Sequence, residues 1–584
     1  MTMRKLIFWG SALNILLLLV APQLNTAHYD PLPEFWGETA FAWLGISLFL
    51  IICFYFKNLS IPTITIPLVL FAIILLIQPY FLHIDFIGLS YIAALEMCLC
   101  VLLAVAISTL ITQYGREQIL LIISYALLIG AILQSLLGLI QYLDLLKLFP
   151  WVFYDSAHPN SDIFGHFGQR NHYCHYLSWG VFSLIYLYLK DKIRFPLFVG
   201  LIVWLSFSIT IASSRSVFLY FTLATIISGI FYFKNRNLLF KNLFFTILGV
   251  SVFLVAFEYL YPLIHQLISH HNQSDSGLQR LTSDLADNSL TGRRLIEWKK
   301  ALIVFKSHPL LGAGWNEYAK QSVYLQLLFP NAPANSGLFT NCHNLILQLM
   351  AETGIIGTVI AVAGIFIIIM QMFKNNNIEN VVLLCLIFTT IAHSMVEYPL
   401  WYIYFFGPLI IYLSFNQPLC NINSNVAASI TSIPIVVMVY LMFSCSLIYN
   451  TVSTYSDAPS DYRDYKIEAG YLKQLVDSDV FWAYPALYNL DSYLNLDEAN
   501  TNKFFTLAQQ QHYINLLTNF HPYPDDIIKQ AILDWNNGQY DQAKAKINLA
   551  LVAFPVYKNS FLSDLKNPKY ATMLSMVNNY KQLK

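Results

Sequence analysis

Apolar runs of about 15 to 25 residues recur from the N-terminus to about residue 450, each closed by a short polar turn. That rhythm suits helices crossing a bilayer, because about 20 apolar residues span its hydrocarbon core and a helix satisfies its own backbone hydrogen bonds there. Barrel strands are shorter and alternate in polarity. The pattern therefore predicts an all-α, polytopic membrane helix bundle. About thirteen spans are expected: Leu6–Val20, Thr39–Phe56, Ile64–Ile77, Tyr91–Leu110, Ile119–Tyr142, Cys174–Leu189, Phe195–Ala212, Val217–Phe233, Leu243–Leu263, Ile355–Phe373, Val381–Met395, Leu400–Phe415 and Ile430–Tyr449.

Basic residues orient the bundle. With Arg4 and Lys5 on the cytoplasmic side, Lys57, Arg116, the cluster Lys190, Lys192 and Arg194, the cluster Lys234, Arg236 and Lys241, and Lys374 all fall there too, as the positive-inside rule requires. Among the short loops facing outward only Lys147, Arg170 and Arg215 remain. The turn from Asn416 to Asn425 should be cytoplasmic but carries no basic residue. An odd number of spans exports everything after Tyr449, and Leu6–Val20 reads as a first anchor rather than a cleavable signal.

Two segments break the rhythm. A long outward insertion runs from His265 to Gly354, and loops of that length inside a compact domain are usually functional. Within it, "TGRRLIEWKKALIVF" brings Leu295, Trp298, Leu302 and Phe305 near helical spacing, with Thr291 as a candidate cap. A polar tail follows from Ser453. Its "WNNGQYDQAKAKINLALVAFP" sets Gly538, Tyr540, Ala543, Ala550 and Pro555 at the offsets of a tetratricopeptide helix pair, or of an ordinary helical hairpin. The expected domains are therefore a membrane bundle, 1–450, including the loop 265–354, and an exported helical domain, 451–584.

Composition agrees: 57% of the residues are hydrophobic and 11% charged, against about 25% charged in soluble domains. The zero formal net charge offers nucleic acid no basic footprint. Cys174 and Cys342 both fall near outward loops, where two free thiols are expected in preference to a disulfide.

Topology brings four polar clusters to the same outer rim. The first, "FGHFGQRNHYCHYLSWG", holds Gln169, Arg170, Asn171 and His172 just before the sixth expected span, with His158 upstream and His166 and His175 within. Amides and a guanidinium there suit sugar hydroxyls and phosphate oxygens; the competing reading is an interfacial loop meeting headgroups. The second is "SSRS", where Arg215 sits at an outer mouth as either a phosphate clamp or a snorkelling side chain. In the third, "TGRRLIEWKKALIVFKSHPLLGAGWNEY", Arg293 and Arg294 precede a helix, and the basic run with Lys299 and Lys300 taken alone reads as a solvated face. The fourth, "TNCHNLILQLMAETG", offers His343 as a proton acceptor, with Glu352 further along the same helix. Beside them, "HSMVEYPLWYIYFFGP" adds His393 and Glu397, the latter as a structural or substrate-orienting carboxylate. No phosphate-binding glycine loop or His-Glu-x-x-His spacing occurs, so a bound anion is expected on arginines, without metal or cofactor.

Taken in order, "GHFGQRNH", "SSRS", "GRRLIEWKKAL", "HPLLGAGWNEY", "HNLILQLMAETGIIG" and "HSMVEYPLWYIYFFGP" resemble bacterial O-oligosaccharyltransferases of the PglL type, within the O-antigen ligase and Wzy polymerase superfamily. "HYDPLPEFWGE", His28 to Glu38, is similar to that family's first outward loop. The resemblance implies a GT-C-like bundle in the bacterial inner membrane, with the large loop and the tetratricopeptide-like tail in the periplasm. It implies an undecaprenyl-diphosphate-linked oligosaccharide as donor and Ser or Thr hydroxyls of exported proteins, such as a pilin, as acceptors. By the same resemblance His343 is the essential histidine, as base or as acceptor-positioning group. Arg215 and Arg294 are the diphosphate-binding arginines, with Arg293 as the rival for the second, and Gln169 and Asn171 contact donor or acceptor. Arg170, His172 and Glu397 complete the expected substrate-binding set. The runners-up are an O-antigen ligase and a Wzy-type polymerase. A transporter or flippase would instead place polar residues at mid-span, where Glu96 is the candidate, and repeat its halves, which this chain does not.

Overall fold

The computed structural model describes residues 2–153, 163–268, 292–330, 332, 337–416, 418–494, 496 and 504–580; Asp155, His158, Asp162 and Thr291 lie outside them. The bundle is built from α1 (Met3–Val20), α2 (Phe35–Tyr55), α3 (Thr65–Leu82), α4 (Ile87–Tyr114), α5 (Arg116–Tyr142), α6 (Arg170–Leu189), α7 (Phe195–Ile211), α8 (Ser216–Asn235) and α9 (Leu238–Ile268). Two amphipathic helices follow, α10 (Gly292–Ser307) and α11 (Tyr318–Leu325), before α12 (Leu345–Lys374), α13 (Ile378–Ser394), α14 (Ile403–Leu413) and α15 (Ser424–Thr454) return to the bundle. The C-terminal segment is also helical: α16 (Tyr462–Ser478), α17 (Ala483–Leu490), α18 (Leu507–Phe520), α19 (Pro524–Asn536), α20 (Tyr540–Ala553), α21 (Lys558–Asp564) and α22 (Ala571–Asn579).

Among the described residues, nine helices are long and apolar enough to cross a membrane, and α7, α13 and α14 are shorter apolar helices. The chain is a multi-pass, all-α membrane protein. The remaining expected span falls on α6, which is rich in Tyr, Ser and His and almost wholly buried. An inner helix of this kind does not need an apolar outer face, because its neighbours rather than lipid receive its polar groups. α5 approaches it closely: a Cβ at Gly130 would overlap the Tyr176 hydroxyl, and one at Gly180 would overlap Ala131.

One short sheet fixes the basic end of the bundle. β1 (Asn58–Pro62) pairs antiparallel with β2 (Pro418–Asn423), Asn58 opposite Asn423, and Ser424 N–H donates to the carbonyl of Lys57 at 2.8 Å. Arg116 donates to the Phe415 carbonyl, and Lys190 pairs with Glu117 and Glu379, each at 2.8 Å. The turn that lacks basic residues of its own is thus held beside Lys57 and Arg116, which carry the charge for that corner.

Departures from the expected pattern occur in the insertion. In α10 the buried residues are Glu297, Lys300, Ala301 and Val304, whereas Leu295 and Leu302 are exposed. The basic run is therefore not a solvated face at Lys300. Lys300 Nζ donates to Glu297 Oε1 at 2.9 Å and to Ser322 at 3.2 Å, while Glu297 also accepts from Tyr318 at 2.9 Å and Ser322 at 2.7 Å. A network this complete offsets the desolvation of two charges, which neither residue alone would tolerate. Burial pushes the Lys300 amine down to about 8, against the pull of Glu297.

The stretch after α10 is clamped to α12. Gly354 takes φ +61° and ψ −164°, breaking α12 one turn after Met350. Gly312 lies against Glu352, and a Cβ on either glycine would overlap backbone of the other segment. Gln78, a buried amide on α3, locks this junction: its Nε2 donates to the carbonyls of Leu311 and Glu352, both at 2.6 Å, and its Oε1 accepts from Trp315 N–H at 3.1 Å.

In the C-terminal segment, α19 and α20 form the expected helix pair, Gly538 turning between them at φ +77°. They pack through Ile528, Ala531, Ile547 and Ala550, joined by Val323 of α11. A second cluster ties Phe86 and Tyr449 of the bundle side to Trp482, Leu487 and Phe520. Phe35, the first residue of α2, stacks on Tyr449 at 4.3 Å.

Candidate active site

Four helix ends meet at Glu397, which follows α13 and is held there by its own N–H donating to the His393 carbonyl at 2.8 Å. Its carboxylate is almost buried, with 6% of the side chain exposed. Arg294, in the first turn of α10, donates from Nη2 to Oε1 at 2.7 Å. Asn171, in the first turn of α6, donates to the same oxygen at 3.0 Å, and Gln169 donates to Oε2 at 3.3 Å. Asn171 is oriented in turn by the Ser214 hydroxyl, which donates to its Oδ1 at 2.7 Å. In the sequence, "SSRS" points to Arg215, and the hydroxyl beside that arginine is the one signal for Ser214.

His343 completes the ring from the other side, its Nε2 3.6 Å from Glu397 Oε2, beyond hydrogen-bond reach. Asn344 is the N-cap of α12, accepting from Leu347 N–H, and leaves His343 just outside at φ +57°. The imidazole is wedged against Tyr398, with ring centroids 5.3 Å apart and nearly perpendicular, and faces Phe339 at 5.7 Å. Nδ1 lies 3.0 Å from the Asn341 carbonyl. A carbonyl only accepts, so Nδ1 carries the proton and Nε2 offers its lone pair toward Glu397. Burial pushes the His343 pKa down from 6.5; Glu397 opposes that shift and Arg294 adds to it.

Arg215 stands at the N-terminus of α8, where the helix dipole already favours an anion. Burial and the guanidiniums of Arg294 and Arg170 hold its pKa below the usual arginine value, so three cations from separate parts of the chain share one field. Arg293 points elsewhere: it donates to Glu297 at 2.8 Å and lies 4.5 Å over the Phe339 ring.

His172 is buried below the rim, against His393 at 5.2 Å and Tyr402 at 5.2 Å between ring centroids. His393 Nδ1 lies 2.9 Å from His175 Nδ1, and His175 Nε2 3.2 Å from the Thr390 hydroxyl. These three rings form a cluster below Glu397, His393 tilted 56° to His172 and edge-on at 79° to His175. His166 turns away to the Leu24 carbonyl at 3.2 Å. Glu352 is buried and accepts from Gln348 at 2.9 Å. Glu96 faces an apolar cavity between α2 and α4. Cys174 and Cys342 are free thiols.

Comparison with known proteins follows the same order along the chain. Residues 200–362 match a model described as O-antigen ligase, residues 163–188 one described as protein glycosylation ligase, and residues 381–566 the C-terminal part of a virulence factor membrane-bound polymerase. A general O-oligosaccharyltransferase of Acinetobacter baylyi is 26% identical over 408 residues, 68% of each chain. The chain is similar to the O-oligosaccharyltransferases and, over residues 200–362, to the O-antigen ligases. A ComP-specific O-oligosaccharyltransferase of the same organism is also 26% identical, over half of each chain. These similarities support an oligosaccharyl-transferring enzyme, and Glu397, Arg294 and Asn171 lie within the matched segments.

Proposed function

We propose that this oligosaccharyltransferase moves a preassembled oligosaccharide from undecaprenyl diphosphate to Ser or Thr hydroxyls of exported proteins, a pilin among them, at the periplasmic face of a bacterial inner membrane. The reading divides the chain into the membrane-embedded transferase, 1–450, and a periplasmic helical domain, 451–584. One observation carries it: His343 Nε2 and Glu397 Oε2, two acceptors 3.6 Å apart, face each other beside clustered arginines. A hydroxyl that approaches the pair from the side finds a lone pair for its proton.

The reaction has a simple balance. The hydroxyl oxygen bonds to the anomeric carbon as its proton passes to His343 Nε2, and the bond from that carbon to the diphosphate oxygen breaks. Charge gathers on the departing lipid diphosphate, where Arg215 and Arg294 neutralise it from preset positions. Glu397 holds Arg294 and shares Gln169 and Asn171 with the incoming sugar. His172, buried below, supports this floor rather than touching sugar, and Arg170 adds to the field around the anion. Arg293 belongs to the Glu297 network, so the second diphosphate arginine is Arg294.

The match of residues 381–566 to a polymerase C-terminal region favours a second reading, elongation of a lipid-linked glycan. Purified enzyme given lipid-linked oligosaccharide and an exported acceptor separates the two: intact-mass analysis finds sugar on protein in the first case and a longer lipid-linked glycan in the second.

A further inference from the structure

Resting on the reading of the donor as a lipid diphosphate, we propose that the membrane-facing groove between α8 and α9 is the subsite for the donor's polyprenyl chain. The groove encloses about 760 Å³ and is lined by Phe218, Phe221, Thr222, Val252, Ala256 and Tyr259, among others. It starts at Phe218, one helical turn below Arg215, and runs along the same helix. A chain whose diphosphate sits on Arg215 leaves the arginine at this point.

The groove also has the chemistry of a hydrocarbon site. Its inner hydroxyls are spent: Thr225 donates to the Phe221 carbonyl and Ser251 to that of Ile247, both at 2.8 Å, so neither needs a partner from the occupant. Ile226, Val252 and Tyr259 on its rim are exposed, which lets a lipid enter sideways from the bilayer without threading through the bundle.

A rival site exists on the other side of Glu397. That cavity, about 410 Å³, lies among α2, α3, α4, α12, α14 and α15 and is bounded by Trp315 and Trp401, whose rings stack at 5.8 Å and 2°. Glu38 and Glu96 face into it. Two carboxyls are a poor wall for an isoprenoid, and no arginine of the site opens onto this side.

Chain-length selectivity tests the assignment. Ala256→Trp and Thr222→Trp fill the groove from its exposed side; Ala361→Trp fills the rival cavity. Each variant and the unaltered enzyme are assayed with two donors carrying the same glycan, one on a full-length polyprenyl diphosphate and one on a short isoprenyl diphosphate. The groove variants are expected to raise KM for the long donor about tenfold, the mark of lost ground-state binding, leaving kcat and the short donor unchanged. Ala361→Trp is expected to leave both donors as they were. Equal effects on the two donors, no effect on either, or a selective loss in Ala361→Trp alone would overturn the groove assignment. Failure of the unaltered enzyme to use either donor would refute oligosaccharide transfer from a lipid diphosphate itself, a different result from the loss of selectivity.

Discussion

Arg294 and Glu397 meet through one 2.7 Å bond across 103 residues of sequence, and that bond joins the large insertion to the bundle at the point where Gln169, Asn171 and His343 converge. The carboxylate is both a counter-charge for the arginine and the frame on which the amides and the imidazole are aligned.

Neutralising that frame has a predictable cost. Glu397→Gln keeps the volume but leaves Arg294 without its counter-charge, and kcat/KM should fall about a hundredfold, the scale of losing one preorganised electrostatic contact. Glu397→Asp should recover part of the loss. Steady-state transfer assays on the three proteins check this, and equal rates in all of them would deny Glu397 its organising role.

Adjacent arginines should fail in different ways. Arg294→Ala is expected to abolish transfer with little change in thermal stability, because its side chain is one-third exposed. Arg293→Ala strips a partner from buried Glu297 while Lys300 remains, and should cost about 1–3 kcal/mol of stability with activity largely retained. Thermal unfolding and turnover, measured on the same preparations, distinguish the two.

The pH profile follows from His343. Only the neutral ring accepts a proton, and burial, aided by Arg294, holds its pKa below 6.5. Activity should therefore rise with pH along an acid limb whose midpoint lies below that value. Glu397 opposes the shift by favouring imidazolium, so in Glu397→Gln the midpoint should move lower still. A limb centred above 6.5 in kcat/KM would separate the titration from this imidazole.

Gly354 and Gly312 are expected to resist any side chain. Both have positive φ and no room for a Cβ, so Gly354→Ala combines a left-handed penalty of about 1–2 kcal/mol with overlap against the Leu310 backbone. A lowered melting temperature with loss of His343-dependent transfer is the expected pair of readouts, since this junction anchors the start of α12.

How much of this was legible beforehand depends on the kind of signal. Nine of the expected spans coincide, among the described residues, with helices long and apolar enough to cross a membrane; the other four fall on α7, α13 and α14, which are shorter, and on the polar, buried α6. The convergence of Asn171, Arg294, His343 and Glu397 followed from topology, because loops of one parity share one side of the membrane. Which arginine faces the site did not: Arg293 and Arg294 are neighbours in sequence, and only the burial of Glu297 and Lys300 decides their directions. The same cause hid the true inner face of α10, where an ion network replaces the apolar stripe that Leu295 and Leu302 suggested. Gln78 was invisible as well, since a lone amide in an apolar run gives no hint that it clamps a loop more than 230 residues away.

Intact-mass analysis of an exported acceptor protein, incubated with lipid-linked oligosaccharide and either the unaltered enzyme or its His343→Ala, Arg215→Ala and Arg294→Ala variants, tests the shared site most directly. The unaltered enzyme is expected to add one whole oligosaccharide to the acceptor, and each folded variant to add none. Undiminished transfer by all three variants, or glycan growing on the lipid while the acceptor stays bare, would contradict it.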